Sequence, residues 1–215
     1  MKYVKMLALA AVAVGALTAF LGAGTASAST ICSTTANPCP AAQVWPVGTV
    51  IDFSIPAGSN AVLKDTSNNE LDKCTSSTVK GKITNAGSST ATVTGSVEEL
   101  TWGGCTFTTN TVSKSNLEVH QIAGTSNGTV TSDGTFEVTI NTGAFGSCIY
   151  GVASGVDLGT ITEGKSAPNV PTATFEANAV ATRFGSNFLC PSTSRWTGTY
   201  VLTSPANTTL SVSSS

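Results

Sequence analysis

The sequence predicts an all-β fold, an antiparallel β-sandwich or β-barrel stabilised by disulfides. Three observations predict it. After residue 28 no segment keeps apolar residues at helical spacing over three turns; short alternating runs rich in Val, Thr, Ile and Phe recur instead. Gly, Asn, Asp and Pro punctuate those runs at close intervals. Six cysteines, an even number, all follow an export-type N-terminus.

That N-terminus has three parts. Lys2 and Lys5 come first, then the apolar run MLALAAVAVGALTAFLGAG, then the small residues Ala26-Ser27-Ala28. This order reads as a secretory signal peptide over residues 1–28, cleaved after Ala28. The apolar run is nearly long enough to span a bilayer, but it ends in small residues and lacks a positive stop-transfer flank. Ile31 before Cys32 argues against a lipoprotein. No later stretch is apolar for long enough to cross a membrane, so no integral membrane segment is expected after cleavage. The expected location is secreted, either extracellular or in the cell envelope.

The elements follow in order. Residues 29–47 hold Cys32, Cys39, Pro38, Pro40, Trp45 and Pro46 and read as an irregular, disulfide-pinned lead-in. Residues 48–212 read as a single all-β domain. Strands are expected near Val50–Ser54, Ala61–Asp65, Ser77–Thr84, Thr90–Trp102, Leu117–Ile122 and Thr129–Thr131. Others are expected near Thr135–Asn141, Ile149–Val152, Thr160–Glu163, Thr172–Thr182, Thr197–Thr203 and Thr209–Val212. Asn85-Ala86-Gly87, Asn127-Gly128 and Asp133-Gly134 are hairpin-type punctuation, because such turns need the positive φ that Gly supplies. Pro168 and Pro171 mark a looped crossing. Phe136, Val138 and Ile140 share one apolar face; Phe175, Ala177 and Ala179 share another, with small residues expected where sheets approach closely. No fixed-length repeat argues for a propeller or solenoid.

One stretch breaks its own alternation. In Val97-Glu98-Glu99-Leu100 two carboxylates sit side by side, and the apolar phase resumes one position late. A β-bulge absorbs such an extra residue, keeping Val93, Val97, Leu100 and Trp102 on one core face and both glutamates in solvent. A glycosidase pair needs carboxyls facing each other across a cleft, about 5–10 Å apart, which neighbours on one strand rarely offer. The bulge is the preferred reading.

The six cysteines allow 15 pairings. Proximity favours Cys32–Cys39, Cys74–Cys105 and Cys148–Cys190. No close-set Cys/His cluster suggests zinc. Without the leader, 187 residues remain, with 8 basic and 12 acidic side chains. So few cations cannot neutralise a phosphate backbone, and nucleic acid is excluded as a partner.

Candidates for chemistry are sparse. Gly124-Thr125-Ser126-Asn127-Gly128 matches GxSxG, but a strand follows where a nucleophile elbow requires a helix. The one histidine, His120, precedes Ser126 and falls in the polar phase of its strand. No catalytic residue is assigned. Asp65, Asn69, Glu70 and Asp72 form the richest oxygen cluster and the weak calcium candidate, without EF-hand spacing; otherwise no metal and no cofactor is expected. Trp45, beside Pro46, is the aromatic expected to be exposed for ligand stacking, whereas Trp102 and Trp196 sit in core phase. Trp196-Thr-Gly-Thr-Tyr200-Val-Leu-Thr203 resembles a strand of the avidin family of biotin-binding barrels. The likeness spans eight residues and carries over no site residue.

The leading functional expectation is a secreted non-catalytic β-module that binds or coats, with a glycan or cell-surface component as partner. One alternative is a carboxylate-based polysaccharide hydrolase drawing on Glu98, Glu99, Glu118, Glu137 and Glu176. The other is a small-ligand carrier with a pocket inside a barrel. Two carboxyls across a cleft would favour the hydrolase and an apolar cavity the carrier.

Overall fold

The computed structural model describes residues 28–143, 146–185 and 187–214. The expected leader, apart from Ala28, lies outside the described residues. Strands dominate the described chain: β1 (Ser29–Cys32), β2 (Val50–Ser54), β3 (Ala61–Asp65), β4 (Glu70–Asn85), β5 (Val93–Cys105), β6 (Thr108–Ser113), β7 (Asn116–Gln121) and β8 (Gly128–Ser132). They continue as β9 (Phe136–Asn141), β10 (Ser147–Val152), β11 (Asp157–Thr162), β12 (Gly164–Lys165), β13 (Thr174–Phe184), β14 (Thr193–Ser204) and β15 (Thr209–Ser214).

The strands close into an antiparallel barrel of eight staves. Four staves are unbroken: β4, β5, β13 and β14. Each of the others is split into two collinear strands, β2/β3, β6/β7, β8/β9 and β10/β11. β2 and β3, for example, lie end to end along β4, beside Thr78–Lys82 and Glu70–Cys74 respectively. Counted by staves, every neighbour is next in sequence. β14 completes the ring by pairing Val201 with Ser54 on β2 and Trp196 with Leu63 on β3. Full closure is the one arrangement that leaves an antiparallel sheet no edge. Between sandwich and barrel, the structure is a barrel.

One seam is made differently. β7 forms the main-chain ladder with Val93–Ser96 of β5. Beside the C-terminal half of β5, however, side chains take over. Thr111 Oγ1 donates to Leu100 O at 2.8 Å, and Trp102 Nε1 donates to Thr111 Oγ1 at 3.1 Å.

The stave breaks have local causes. Between β2 and β3, Pro56 has no N–H to give a ladder, and Ser59 N turns back to Pro56 O at 3.0 Å. Asp133-Gly134 corrects an expectation: it is not a hairpin. β8 pairs with β7 and β11, and the chain passes straight on into β9. Gly134 is there for room, since a Cβ would meet Ser115 Oγ at 2.2 Å. Asn127-Gly128 does close β7 on β8. β6 and β12 were not anticipated. β6 is a mostly polar Thr/Asn/Ser run whose one apolar residue, Val112, is exposed, and β12 is only two residues long.

One end of the barrel is capped. β1 and β12 flank β15 in a three-stranded sheet, and Ile31, Leu210 and Val212 bury against Val93, Val119 and Val130 of the barrel. The lead-in expected to be irregular therefore contributes a strand. Gly87, in the β4–β5 turn, has φ +83° and lies directly under Ser29 O, where a Cβ would approach to 1.7 Å. Cys32–Cys39 joins the lead-in at this end, while Cys74–Cys105 and Cys148–Cys190 lie toward the opposite end. Cys74 and Cys105 face each other directly across β4 and β5.

The bulge in β5 is present. Lys80 faces Glu99 and Gly81 faces Val97, so Glu98 is the extra residue. Both glutamates are exposed, while Val97 and Leu100 are buried. Two variants test it by chemical denaturation. Exchanging both glutamates for Gln is expected to change stability by no more than about 0.5 kcal/mol per site. Deleting both Glu98 and Glu99 sets Leu100 directly after Val97, turns Leu100 and Trp102 outward and is expected to cost on the order of 3–6 kcal/mol. A deletion as mild as the double exchange would disprove the register.

Candidate functional site

The site that the fold builds is its own interior. An apolar chamber of about 80 Å³ lies in the lumen, lined by residues that include Leu63, Leu100, Val138, Val152, Ala179 and Trp196. A second chamber of about 100 Å³ adjoins it toward the cap and shares Val79, Val97, Leu117, Val130 and Phe175. Strand alternation places these side chains inward, and small residues leave the space. Ala177, Ala179 and Ala181 succeed one another along β13, with Ala179 opposite Trp196 of β14. The small residues on this strand were expected to mark a close approach of sheets. They mark a void instead, because a barrel of this size keeps its far wall out of reach of an alanine.

Few polar atoms reach the interior. Tyr200 is fully buried and donates its hydroxyl to Ser77 Oγ at 3.0 Å. Burial pushes its phenol far above the ordinary value, against the opposing effect of that hydrogen bond. Trp196 stacks obliquely on Trp102, with ring centroids 4.3 Å apart. Its indole N–H comes up to Tyr200 without forming a hydrogen bond. Tyr150 is 1% exposed, and its hydroxyl is buried with no hydrogen-bond partner. Burial raises this phenol too, and the nearby Arg183 charge works the other way.

At the end away from the cap lies a mouth of about 390 Å³, lined by Glu70, Leu71, Phe107, Ile140, Leu189 and Pro191 among others. Phe107 and Leu189 are exposed there. The Cys148–Cys190 bridge braces this rim. Tyr150 lines both the mouth and the inner chamber, so its ring stands between them.

Compared with known proteins, the chain matches no family model, no curated protein and no solved structure. Function is therefore argued from the site alone.

The candidates read from sequence fall elsewhere. Glu98 and Glu99 point to solvent from the bulge. Glu118 Oε2 lies 3.3 Å from His120 Nε2, and Glu176 Oε2 accepts from Thr199 Oγ1 at 2.6 Å, both away from the lumen. Glu137 is on β9, and neither chamber has a carboxylate in its lining. Ser126 belongs to the β7–β8 turn, where its carbonyl accepts from Val212 N at 2.9 Å. Trp45 is a correction. It is 3% exposed, drawn beneath the cap by the bond from its N to Ile31 O, and offers no stacking surface.

The oxygen cluster is divided. Asp65 folds onto its own turn, accepting from Ser67 N, Asn69 N and Asn69 Nδ2 at 2.8 Å each. Glu70 pairs with Lys73 at 3.8 Å on the surface. Asp72 turns inward and is 4% exposed. It accepts from Lys73 N at 2.9 Å, from Phe107 N at 3.1 Å and from Thr109 Oγ1, tying the β5–β6 corner to β4. Cys74 and Cys105 lie close to Asp72, but their sulfurs are spent on the disulfide and are not thiolate ligands.

Two measurements follow from these environments. The tyrosines among the described residues are Tyr150 and Tyr200. With both folded-state values raised, the neutral phenols stabilise the fold fully below the unfolded value of about 10, and that contribution is lost as pH rises past it. An ultraviolet titration of the chain from Ser29 onward is expected to show less tyrosinate at pH 10 than the same chain unfolded in denaturant, the difference closing as the protein unfolds. Asp72→Ala takes the acceptor from three part-buried donors and is expected to cost roughly 2–4 kcal/mol in denaturation. Glu70→Ala, which breaks only an exposed pair, is expected to stay within about 0.5 kcal/mol.

Proposed function

We propose that this chain is an exported, non-catalytic binding module of the extracellular space or cell envelope, holding a small apolar molecule inside its barrel. The observation that carries this reading is the apolar lumen. Its two adjoining chambers, of about 80 and 100 Å³, compare with the roughly 150 Å³ engineered cavity that takes up benzene. Protein interiors are otherwise packed to crystal density, and unfilled apolar volume costs stability. Filling it with a ligand restores the missing contacts.

Export is supported by three disulfides and by the absence, among the described residues, of any helix long and apolar enough to cross a membrane. A sugar suits the inner chamber poorly, because each buried hydroxyl would need a partner that its apolar lining lacks. The carboxylates expected of a hydrolase lie on the outer surface, with none across from another in the lumen.

Toluene provides the test. Titrated into the mature protein, it is expected to change the fluorescence of Trp102 and Trp196 saturably and to raise the melting temperature by mass action. Ala179→Leu fills the chamber and is expected to abolish the response while leaving the protein folded. No saturable response from the parent protein would refute the proposal.

A further inference from the structure

We infer that the guest of the lumen is an unbranched aliphatic chain, threaded along the barrel axis through both chambers. This inference rests on the lumen being a ligand site, as proposed above. It adds the shape of the ligand and its direction.

The two chambers lie in series. On β4, Val79 borders both, while Gly81 and Ile83, nearer the cap, border only the second. On β5, Leu100 borders the first chamber, Val97 both, and Gly95 and Val93 the second. On β13, Phe175 borders both, and Ala177, Ala179 and Ala181, nearer the mouth, border only the first. The order is the same on each of these staves. The five shared side chains, Val79, Val97, Leu117, Val130 and Phe175, come from five different strands. They form a waist between two widenings.

Size then selects shape. Neither chamber, at about 80 and about 100 Å³, matches the roughly 150 Å³ cavity that takes up benzene; only the two together exceed it. A compact guest held on one side of the waist leaves the other chamber empty, and empty apolar volume is costly. A guest that fills both must be slender where it crosses. A polymethylene chain is one carbon wide along its whole length, whereas a branched carbon would spread side chains that are held in packed rotamers. Polar groups along the guest would go unpaired. Tyr200 already donates to Ser77, and the Tyr150 hydroxyl and Trp196 Nε1 are themselves buried.

Toluene asks whether the lumen takes an apolar guest at all; two isomers of one formula ask what shape it takes. n-Hexane and 2,2-dimethylbutane are titrated into the chain from Ser29 onward and followed by tryptophan fluorescence. n-Hexane is expected to bind about tenfold more tightly, the scale set by the volume that a compact isomer leaves unfilled. Two variants then narrow one chamber each. Gly95→Ala acts on the cap side, where a Cβ would meet only the Lys82 backbone, its O at 3.2 Å. Ala181→Val acts on the mouth side. Over the series n-pentane to n-octane, both are expected to shorten the tightest-binding chain by about one or two carbons, as each added methyl displaces part of the guest. A guest confined to one chamber would answer to only one of them. The isomer comparison in the parent stands even if a variant fails to fold. Equal affinity for the isomers, toluene binding without hexane binding, or a shift in one folded variant but not the other would each overturn the threaded chain and leave the lumen reading standing. If neither hexane isomer nor toluene binds the parent, the lumen reading fails and this inference fails with it.

Discussion

The ladder that joins β14 to β2 and β3 is the interaction on which the rest of the structure depends. It brings together residues far apart in the chain: Thr197 Oγ1 bonds Val62 O, and Thr203 Oγ1 bonds Asp52 O. All other stave contacts link neighbours in sequence and form locally. This one closes the ring, and the closure entropy must be met before its contacts stabilise anything. Once formed, it buries Tyr200 and Leu202 completely and converts a curled sheet into a container. The cap and the lumen both require it.

The split staves explain where the container is hollow. Breaks fall between β6 and β7, between β8 and β9, and between β10 and β11, and they bond to one another across staves. Asp133 N reaches Asn116 O at 2.9 Å, and Gly155 N reaches Ser132 O at 2.7 Å. Lys114 Nζ reaches Glu98 O, which places the β5 bulge on the same line. Each half-stave sets its side chains independently of the half beyond the break. Leu117, Phe136, Val152 and Leu158 flank these breaks, and all four line the chamber. Irregular backbone of this kind re-aims side chains locally, and here the result is packing that does not close at mid-height.

Much of this was readable in the sequence. Val50–Ser54 and Ala61–Asp65 appear with the expected bounds, because strong alternation and flanking turn residues leave little freedom. The bulge followed from a single slip in phase. What was missed has physical reasons. β6 carries no apolar face to betray it, since it pairs through Thr and Asn at a seam. Trp45 and the lead-in looked exposed because burial there comes from β15, which is remote in sequence. The lumen left its only trace in the Ala177-Ala179-Ala181 series, and small residues read the same whether they allow contact or leave a gap. Tyr150 could not be singled out, because an unpaired hydroxyl is a property of its surroundings and not of its strand.

The cap gives the molecule a fixed polarity. Ser29 lies opposite Ser214, so the first and last strands end side by side at the closed end. Phe107, Leu189 and the braced rim are at the other. Anything covalently joined beyond either strand, such as a fusion partner or a solid support, stands behind the base of the vessel. Its opening then faces outward whichever terminus is used. A short linker between the two ends would make a circular permutant with new termini beside the opening, reversing that presentation without altering a stave.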